Sequence, residues 1–232
     1  MNGLRRLMAR ISRRGFVGPR FDGIAGKIRF AYQYLVGRHE VVLVAEPHTF
    51  HPEQEAGPAL QLQFIERWED FIPYRSHFDE AYYPGYVDGW RDVFEWKQEL
   101  VIALIDGVAA GFGWVQRGAP AGVACHYGPL REGEYRILRV GVLPQYRRRG
   151  VNTAFYTMVL RALFARGAMR VYVDCSRDNA PSLRAQLKSG FRAIGELYVR
   201  GRLRRGDEVR WTAEYDSAHV RGLRMRPIAP PR

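Results

Sequence analysis

Residues 135–166 read as a strand, a proline and a helix that follow one another with a short turn between them. Residues 135–143 alternate in character, and Pro144 ends the strand because it cannot continue a hydrogen-bonded ladder. Residues 147–166 repeat apolar side chains at helical spacing, and Gly167 closes that helix. A strand that turns directly into a helix aims several backbone N–H groups at one point, where the helix dipole adds positive charge. The segment therefore predicts an anion-binding turn.

Other patterns along the chain predict the rest of a mixed sheet. The valine-rich residues 39–46 form a first strand. Asp106-Gly107 supplies a two-residue turn, because both positions tolerate positive φ angles. The further predicted strands span 99–105, 108–116, 170–175, 191–199 and 208–215. The further predicted helices span 59–72 and 76–97, the second with an interruption near Tyr82. One more helix is predicted between its cap at Asn179 and its end at Gly190. This order predicts an α/β fold with a mixed central sheet and helices on both faces.

The formal net charge of +12 implies attraction to an anionic partner, which is a nucleic acid, an acidic lipid or a phosphorylated small molecule. Much of this charge is terminal, since six arginines precede the first acidic residue, Asp22, and four more lie between 221 and 232. The sequence carries no recognised nucleic-acid module, so we expect no specific nucleic-acid partner.

Charge and proline content divide the sequence into three predicted parts. Residues 1–37 form a basic arm or helix, residues 38–216 a single domain, and residues 217–232 a basic, proline-rich tail. Residues 4–16 have the pattern of a short amphipathic helix. A solvated arm or a helix packed on the domain is favoured there over weak contact of residues 1–20 with an anionic membrane. No apolar run is long enough to span a bilayer, and arginines interrupt the segment that a signal peptide would need.

The two cysteines, Cys125 and Cys175, match neither a zinc spacing nor a disulfide framework. A reducing compartment is the simplest interpretation, and we predict a cytoplasmic location. The segment from Pro47 to Pro58 holds two histidines and two glutamates. A surface loop is favoured there over a metal site because these residues show no regular spacing, and we expect no bound metal.

The turn after Pro144 is rich in groups that bind anions. Three consecutive arginines, Arg147, Arg148 and Arg149, offer charge-assisted donors, and Gly150 lets the backbone approach a pyrophosphate closely. The Walker and dinucleotide-binding glycine patterns are both absent from the sequence. The alternative is an arginine-rich helix start that is merely solvated.

Two groups of residues resemble the signature of the GNAT superfamily of acyl-CoA N-acyltransferases. The first group comprises Val142-Leu143-Pro144, Tyr146-Arg147 and the run from Arg147 to Asn152. Within that run, Asn152 departs from the small residue that is usual in the family. The second group comprises Asp174, Asn179, Ser182 and Gly190-Phe191. The resemblance covers about residues 98–215.

The resemblance implies a site for acetyl-CoA or another acyl-CoA. The pantetheine arm would lie between the strands at 137–143 and 170–175, which splay apart at the cofactor cleft. Backbone groups of Val140 and Val142 would hold the pantetheine and polarise the acyl carbonyl. The residues assigned to the cofactor in this way are Val140, Val142, Arg147, Arg148, Arg149, Gly150, Val151, Asn152, Asn179 and Gln186.

For the chemistry, the resemblance implies direct attack of an amine on the thioester, after the amine has lost a proton to a base. Asp174 and Glu134 are the candidate bases. The alternatives are that Asp174 only pairs with an arginine and that Glu134 is a plain loop carboxylate. Many relatives carry a tyrosine acid at the position of Gln186, which cannot supply a proton. Either another group, such as Tyr172, Tyr198 or water, would then protonate the leaving thiolate, or the thiolate would leave unprotonated, or catalysis would be weak.

The sequence thus predicts an enzyme that acetylates or acylates a primary amine of a small molecule or peptide, as a monomer or homodimer. The alternative is a module of the same fold that binds CoA and is weak or inactive in catalysis. A covalent route through Cys175 is disfavoured, because a buried free cysteine is usually inert. The candidates for the acceptor side are Trp90, Trp96, Trp114 and His126, although tryptophans more often pack in the core.

Overall fold

One mixed sheet organises the molecule. The computed structural model describes residues 37–52, 58–82, 85–96, 98–119, 130–200 and 210–212. Within these ranges the strands are β1 Gly37–Ala45, β2 Gln61–Ile65, β3 Glu99–Ile105, β4 Val108–Arg117, β5 Glu134–Val142, β6 Arg170–Ser176, β7 Arg192–Arg200 and β8 Arg210–Thr212. They form a single sheet in the order β2-β3-β4-β5-β6-β1-β7-β8. The strands β5 and β6 run parallel, and the other neighbouring pairs are antiparallel.

Helices cover both faces of this sheet, as the sequence predicts. They are α1 Trp68–Phe71, α2 Arg75–Ala81, α3 Trp90–Glu95, α4 Val151–Ala165 and α5 Ala180–Lys188. On one face the sheet and α4 enclose a first core, which includes Leu43, Ile137, Phe155, Val159 and Leu163. On the other face α1, α2 and α3 enclose a second core, which includes Phe71, Phe78, Trp90, Ile102 and Phe112. Burial of these apolar faces stabilises the two-layered arrangement.

The tight hairpin predicted at Asp106-Gly107 is confirmed. Asp106 has φ 51° and Gly107 has φ 79°, the two positive angles that a type I′ turn requires. The strands β3 and β4 pair directly on either side of this turn, beginning with Ile105 opposite Val108.

The helix predicted over residues 59–72 is wrong in its first half. Gln61–Ile65 forms strand β2 at the edge of the sheet and pairs with β3. Leu62 and Phe64 pack against the first core, whereas Ile65 is buried in the second. Side chains that alternate between two faces have the period of a strand. Pairing with β3 and burial on both faces therefore outweigh the helix preference of the glutamines.

Other predicted boundaries agree more closely with the structure. The helix predicted from residue 147 begins at Val151, because the residues before it adopt turn and left-handed conformations. The segment predicted over 76–97 is two helices, α2 and α3, which are separated near Tyr82 as expected. The strand predicted over 208–215 contains β8, and the rest of that range lies outside the described residues.

Several predictions concern residues that the structure does not describe. These are residues 1–36 of the basic arm, the tail at 217–232, and also Glu53, Glu55, Cys125 and His126. In the described ranges, no group of three or more His, Cys, Asp and Glu side chains is placed to hold a metal ion. No helix of the described part of the chain is both long enough and apolar enough to cross a bilayer.

The strands β5 and β6 separate halfway along their length. Their parallel pairing extends on β5 from Glu134 to Ile137, and the described residues show no register pair between them beyond that point. The strand β5 nevertheless continues to Val142, and β6 continues from Asp174 to its end. These two strand ends pair with β4 and β1 instead of with each other, and we call the gap between them the fork. It lies where the sequence predicts a cofactor cleft.

A bulge in β5 accounts for the fork. Between the pairs that β5 makes with Phe112 and Trp114 of β4, two residues of β5, Arg139 and Val140, stand opposite the single residue Gly113. Arg139 has φ 55°, in the left-handed region. A bulge bends the strand that carries it and increases its twist. The bend directs the end of β5 away from β6 and leaves the fork open.

Candidate functional site

The turn between β5 and α4 presents backbone amides outward. Pro144–Tyr146 forms a 3-10 turn, and α4 begins at Val151. Between them Arg148 has φ 61° and Gly150 has φ 78°, so both lie in the left-handed region. The N–H of Ala154 donates to the Gly150 carbonyl over 3.0 Å. The amides before Ala154 have no carbonyl acceptor within the helix, and helix starts with such free amides commonly bind anions in proteins.

The three arginines of this turn differ in their contacts. Arg147 donates from Nε to the Val142 carbonyl over 3.4 Å. The guanidinium of Arg149 lies 5.8 Å from the centre of the Tyr146 ring. Arg148 and Arg149 are exposed, whereas Arg147 is half-buried. The turn therefore offers two exposed guanidinium groups next to the outward-facing amides.

The backbone at Gly150 leaves room for a ligand. A Cβ atom built there meets Pro58 Cδ at 3.7 Å, an ordinary contact, and no nearer atom among the described residues. The neighbouring Val151 is 1% exposed, so its side chain packs inward and it offers the ligand its backbone amide. Asn152, which departs from the family pattern, is half-buried in the first turn of the helix.

At the mouth of the fork, the carbonyl of Val142 accepts hydrogen bonds from two side chains. Tyr82 Oη donates to it over 3.4 Å, and Arg147 Nε does so over the same distance. Both distances are long for hydrogen bonds, so a ligand N–H could replace either donor. Tyr82 also stacks on Tyr86 with ring centres 4.2 Å apart. The sequence analysis missed Tyr82 as a site residue, because the run of tyrosines around it indicated only an interruption between helices.

Asp174 lies at the base of the fork and forms an ion pair. Arg136 donates from Nε over 2.8 Å and from Nη2 over 2.5 Å, both to Asp174 Oδ1. The side chains are 10% and 15% exposed, in that order. The structure thus contains the arginine pair that was the alternative to a catalytic base. For Asp174 to accept a proton at Oδ1, Arg136 would first have to move.

Glu134 and Tyr172 contact each other at the closed end of the β5–β6 pair. Tyr172 Oη donates to Glu134 Oε1 over 3.3 Å, and the Arg131 N–H donates to Glu134 Oε2 over 2.9 Å. Burial and the Glu134 carboxylate raise the pKa of Tyr172 well above its usual value, so the phenol keeps its proton. Glu134 stands four residues before Leu138, where the fork begins, which is roughly 13 Å along a strand. Register therefore places Glu134 away from the fork, whereas Tyr172 stands two residues before Asp174, on the same face of β6.

Asn179 and Cys175 lie together at the end of β6. Asn179 occupies the N-cap position of α5, but its side chain makes no capping hydrogen bond to that helix. Its Nδ2 instead donates to Cys175 Sγ over 3.4 Å. Cys175 is 4% exposed, which agrees with packing rather than with a nucleophile.

Gln186 connects the two helices that cover the first core. It is 1% exposed, and its Nε2 donates to Tyr156 Oη over 3.0 Å and to Ser182 Oγ over 3.4 Å. Tyr156 belongs to α4 and is itself buried. Gln186 thus holds α5 against α4 from a buried position. The sequence analysis did not predict its hydrogen bond to Tyr156.

The predicted acceptor-side tryptophans divide into two groups. Trp90 and Trp114 are 7% and 0% exposed and pack in the second core, which agrees with the more common role of tryptophan. Trp96, by contrast, is 58% exposed at the end of α3. Its ring centre lies 5.7 Å from the guanidinium carbon of Arg139, a residue of the bulge that the sequence analysis did not single out.

Two kinds of comparison relate this chain to known proteins. Residues 62–191 match the model of a family described as "Acetyltransferase (GNAT) family". Among solved structures, the chain is similar to a GCN5-related N-acetyltransferase from Sphaerobacter thermophilus, with 18% identity and a TM-score of 0.47 over 76% of this chain and 55% of that one. A GCN5-related N-acetyltransferase from Kribbella flavida gives 15% identity and a TM-score of 0.45 over 74% of this chain and 60% of that one. The chain therefore spans less than two thirds of either structure's length.

A comparison with curated proteins gives no match. The family match covers more than half of the chain, from β2 to the end of α5, and so includes both the fork and the turn at the start of α4. The chain belongs to the GNAT family of acetyltransferases.

Proposed function

We propose that the protein transfers an acetyl or other acyl group from acyl-CoA to a primary amine by direct attack of the amine on the thioester. The observation that carries this proposal is the fork between β5 and β6, which opens beside the amide-rich start of α4. A ligand that combines a diphosphate with a long flexible arm suits such a pair of features. The turn would bind the diphosphate, and the fork would bind the arm.

The groups around the fork suit the parts of acyl-CoA one by one. Arg148, Arg149 and the amides that follow Gly150 are exposed and cationic or partly positive, as a diphosphate requires. The Val142 carbonyl is held by two long hydrogen bonds that an amide of the pantetheine could replace. Val140 lies in the bulge, outside the regular ladder, so its backbone groups are the ones available to polarise the acyl carbonyl.

In this scheme the group that accepts the proton lies at the fork and not where β5 and β6 are paired. The acyl-CoA supplies the thioester carbonyl, and the amine must reach it without its extra proton. Asp174 follows the last residue of β6 that pairs with β5. It is the candidate acceptor of that proton, through Oδ2 or, once Arg136 moves, through Oδ1. Glu134 and Tyr172 contact each other where β5 and β6 are paired, and they take no part in this proton transfer.

The test is incubation with acetyl-CoA and a panel of primary amines, with release of free thiol as the measurement and CoA binding by calorimetry alongside. We expect amine-dependent thiol release, and we expect Arg149→Gln to weaken CoA binding roughly tenfold, as loss of a charge-assisted contact does. Arg184→Gln removes the same charge from an exposed position on α5 and should change neither quantity. Failure to bind CoA at millimolar concentration would refute the proposal.

A second candidate function is CoA binding without efficient catalysis. It is favoured by the buried Gln186, which stands where many relatives carry a tyrosine that donates a proton, and by the ion pair between Arg136 and Asp174. CoA binding with no thiol release for any amine, in the same experiment, would select this alternative.

A further inference from the structure

The bulge in β5 holds a guanidinium for which no carboxylate among the described residues serves as a counter-charge. Arg139 is half-buried, and its Nη1 atom is fully buried with no hydrogen-bond partner in the described part of the chain. Burial and the neighbouring Arg136 lower the pKa of Arg139, although a guanidinium remains charged at neutral pH. The nearby carboxylate Asp174 gives Oδ1 to Arg136. A buried charge without a partner is costly, and proteins normally pair it.

The backbone at this position is also unfavourable. Arg139 adopts φ 55°, which is uncommon for a residue other than glycine, asparagine or aspartate. Strained backbone and a buried unpaired charge each cost stability and persist together at sites where a ligand uses them. The positive φ belongs to the bulge, but the bulge does not explain why Nη1 is buried without a partner among the described residues, and that observation points to binding.

The side chain of Arg139 lies on the opposite face of the sheet from α4. Its neighbour Leu138 packs against the second core, and its guanidinium lies over Trp96 at the end of α3. Val140 packs against the first core, on the side of α4. The anion that Arg139 binds is therefore not the diphosphate at the start of α4. It approaches the fork from the side of α3, next to an exposed aromatic ring.

We propose that Arg139 and Trp96 form an acceptor subsite that binds a carboxylate group carried by the amine substrate. This proposal rests on the proposed acyl transfer and narrows its acceptor to amines that bear a carboxylate, such as free amino acids or peptides with an α-carboxylate close to the reacting amine. A guanidinium offers two parallel N–H groups that match the two oxygens of a carboxylate. The exposed face of Trp96 provides an apolar wall beside it, where the carbon chain of the acceptor packs.

The experiment compares amino acids with their carboxamides as acceptors, and N-acetyl amino acids with N-acetyl amino acid amides as ligands. For the wild type we expect kcat/KM to favour the carboxylates on the order of 10- to 100-fold, the usual size of a charge-assisted hydrogen bond. Arg139→Gln should remove this preference while leaving the dissociation constant of CoA unchanged. Arg139→Lys should retain part of it, and Arg184→Gln should retain all of it.

The binding arm separates this proposal from the acyl transfer on which it rests. If no amine is acylated but N-acetyl amino acids still raise the melting temperature in the wild type and not in Arg139→Gln, the acyl transfer is wrong and the carboxylate subsite stands. If amines are acylated with equal efficiency as acids and amides, or if Arg139→Gln keeps the preference, the subsite is wrong. A stronger preference for aminoalkyl phosphates than for amino acids would also overturn it.

Discussion

Replacement of Gly150 by alanine tests the phosphate-binding turn without changing its charge. Gly150 has φ 78°, and a Cβ there makes one ordinary contact, with Pro58 at 3.7 Å. The substitution therefore lowers the stability of the folded protein mainly through the left-handed backbone, by about 1–2 kcal/mol. For a protein of this size each kcal/mol lowers Tm by roughly 2–4 °C. The added methyl group, however, projects into the space that the diphosphate would occupy.

The matched control lies at the other end of the same helix. Gly167 has φ 86°, and a Cβ there meets no described atom within 4 Å, so Gly167→Ala carries the same backbone cost. It is separated from Gly150 by the length of α4, which is 15 residues or roughly 22 Å. We therefore expect similar losses of stability in the two variants.

Their affinities for CoA should differ. Loss of one or two charge-assisted hydrogen bonds to the diphosphate corresponds to a rise in Kd on the order of 10- to 100-fold for Gly150→Ala. Gly167→Ala should bind CoA as the wild type does. Calorimetric titration with CoA and thermal melts of all three proteins measure both quantities. Equal CoA affinity for the two variants, at equal loss of stability, would show that the turn does not bind the diphosphate.

Two further predictions concern the effects of Tyr172 and Arg139 on stability. Because the folded protein raises the pKa of Tyr172, it keeps a proton that the unfolded chain releases above about pH 10, so wild-type stability should fall as pH rises beyond that value. For Tyr172→Phe the free energy of unfolding, measured with urea, should fall less steeply between about pH 9 and 11.5. Parallel pH curves for the two proteins would contradict the raised pKa of Tyr172. Arg139→Gly should raise the free energy of unfolding by about 1 kcal/mol, since glycine tolerates φ 55° and the unpaired charge is removed. Arg148 has φ 61° but is exposed, so Arg148→Gly measures the effect of the backbone conformation alone on the free energy of unfolding. If Arg148→Gly gains as much stability as Arg139→Gly or more, the Arg139 guanidinium is not destabilising.

The site was predictable from the sequence where it is made of consecutive residues. The turn from Pro144 to Gly150 combines a residue that ends a strand, a residue that permits left-handed backbone and three cations, and all of these act within one short segment. The hairpin at Asp106-Gly107 has the same local character. Val142 and Arg147, five positions apart, contact each other as part of the same unit.

The roles of the catalytic candidates depended on register between distant strands. Asp174 is close to Arg136 because β5 and β6 run parallel with a particular alignment, which also brings Tyr172 to Glu134. A shift of one residue would have sent each of these side chains to the other face. No pattern within either strand indicates which alignment forms.

By itself the sequence determined the order of the main elements, the hairpin, the anion-binding turn and the family to which they belong, because these follow from local backbone preference and short-range spacing. The tertiary structure decided that Gln61–Ile65 is an edge strand, that the fork begins after Ile137, and that Nη1 of Arg139 is buried with no hydrogen-bond partner among the described residues. The physical reason is that strand pairing, bulges and burial of charge join residues far apart in the chain. Their free energies depend on partners that no local pattern specifies.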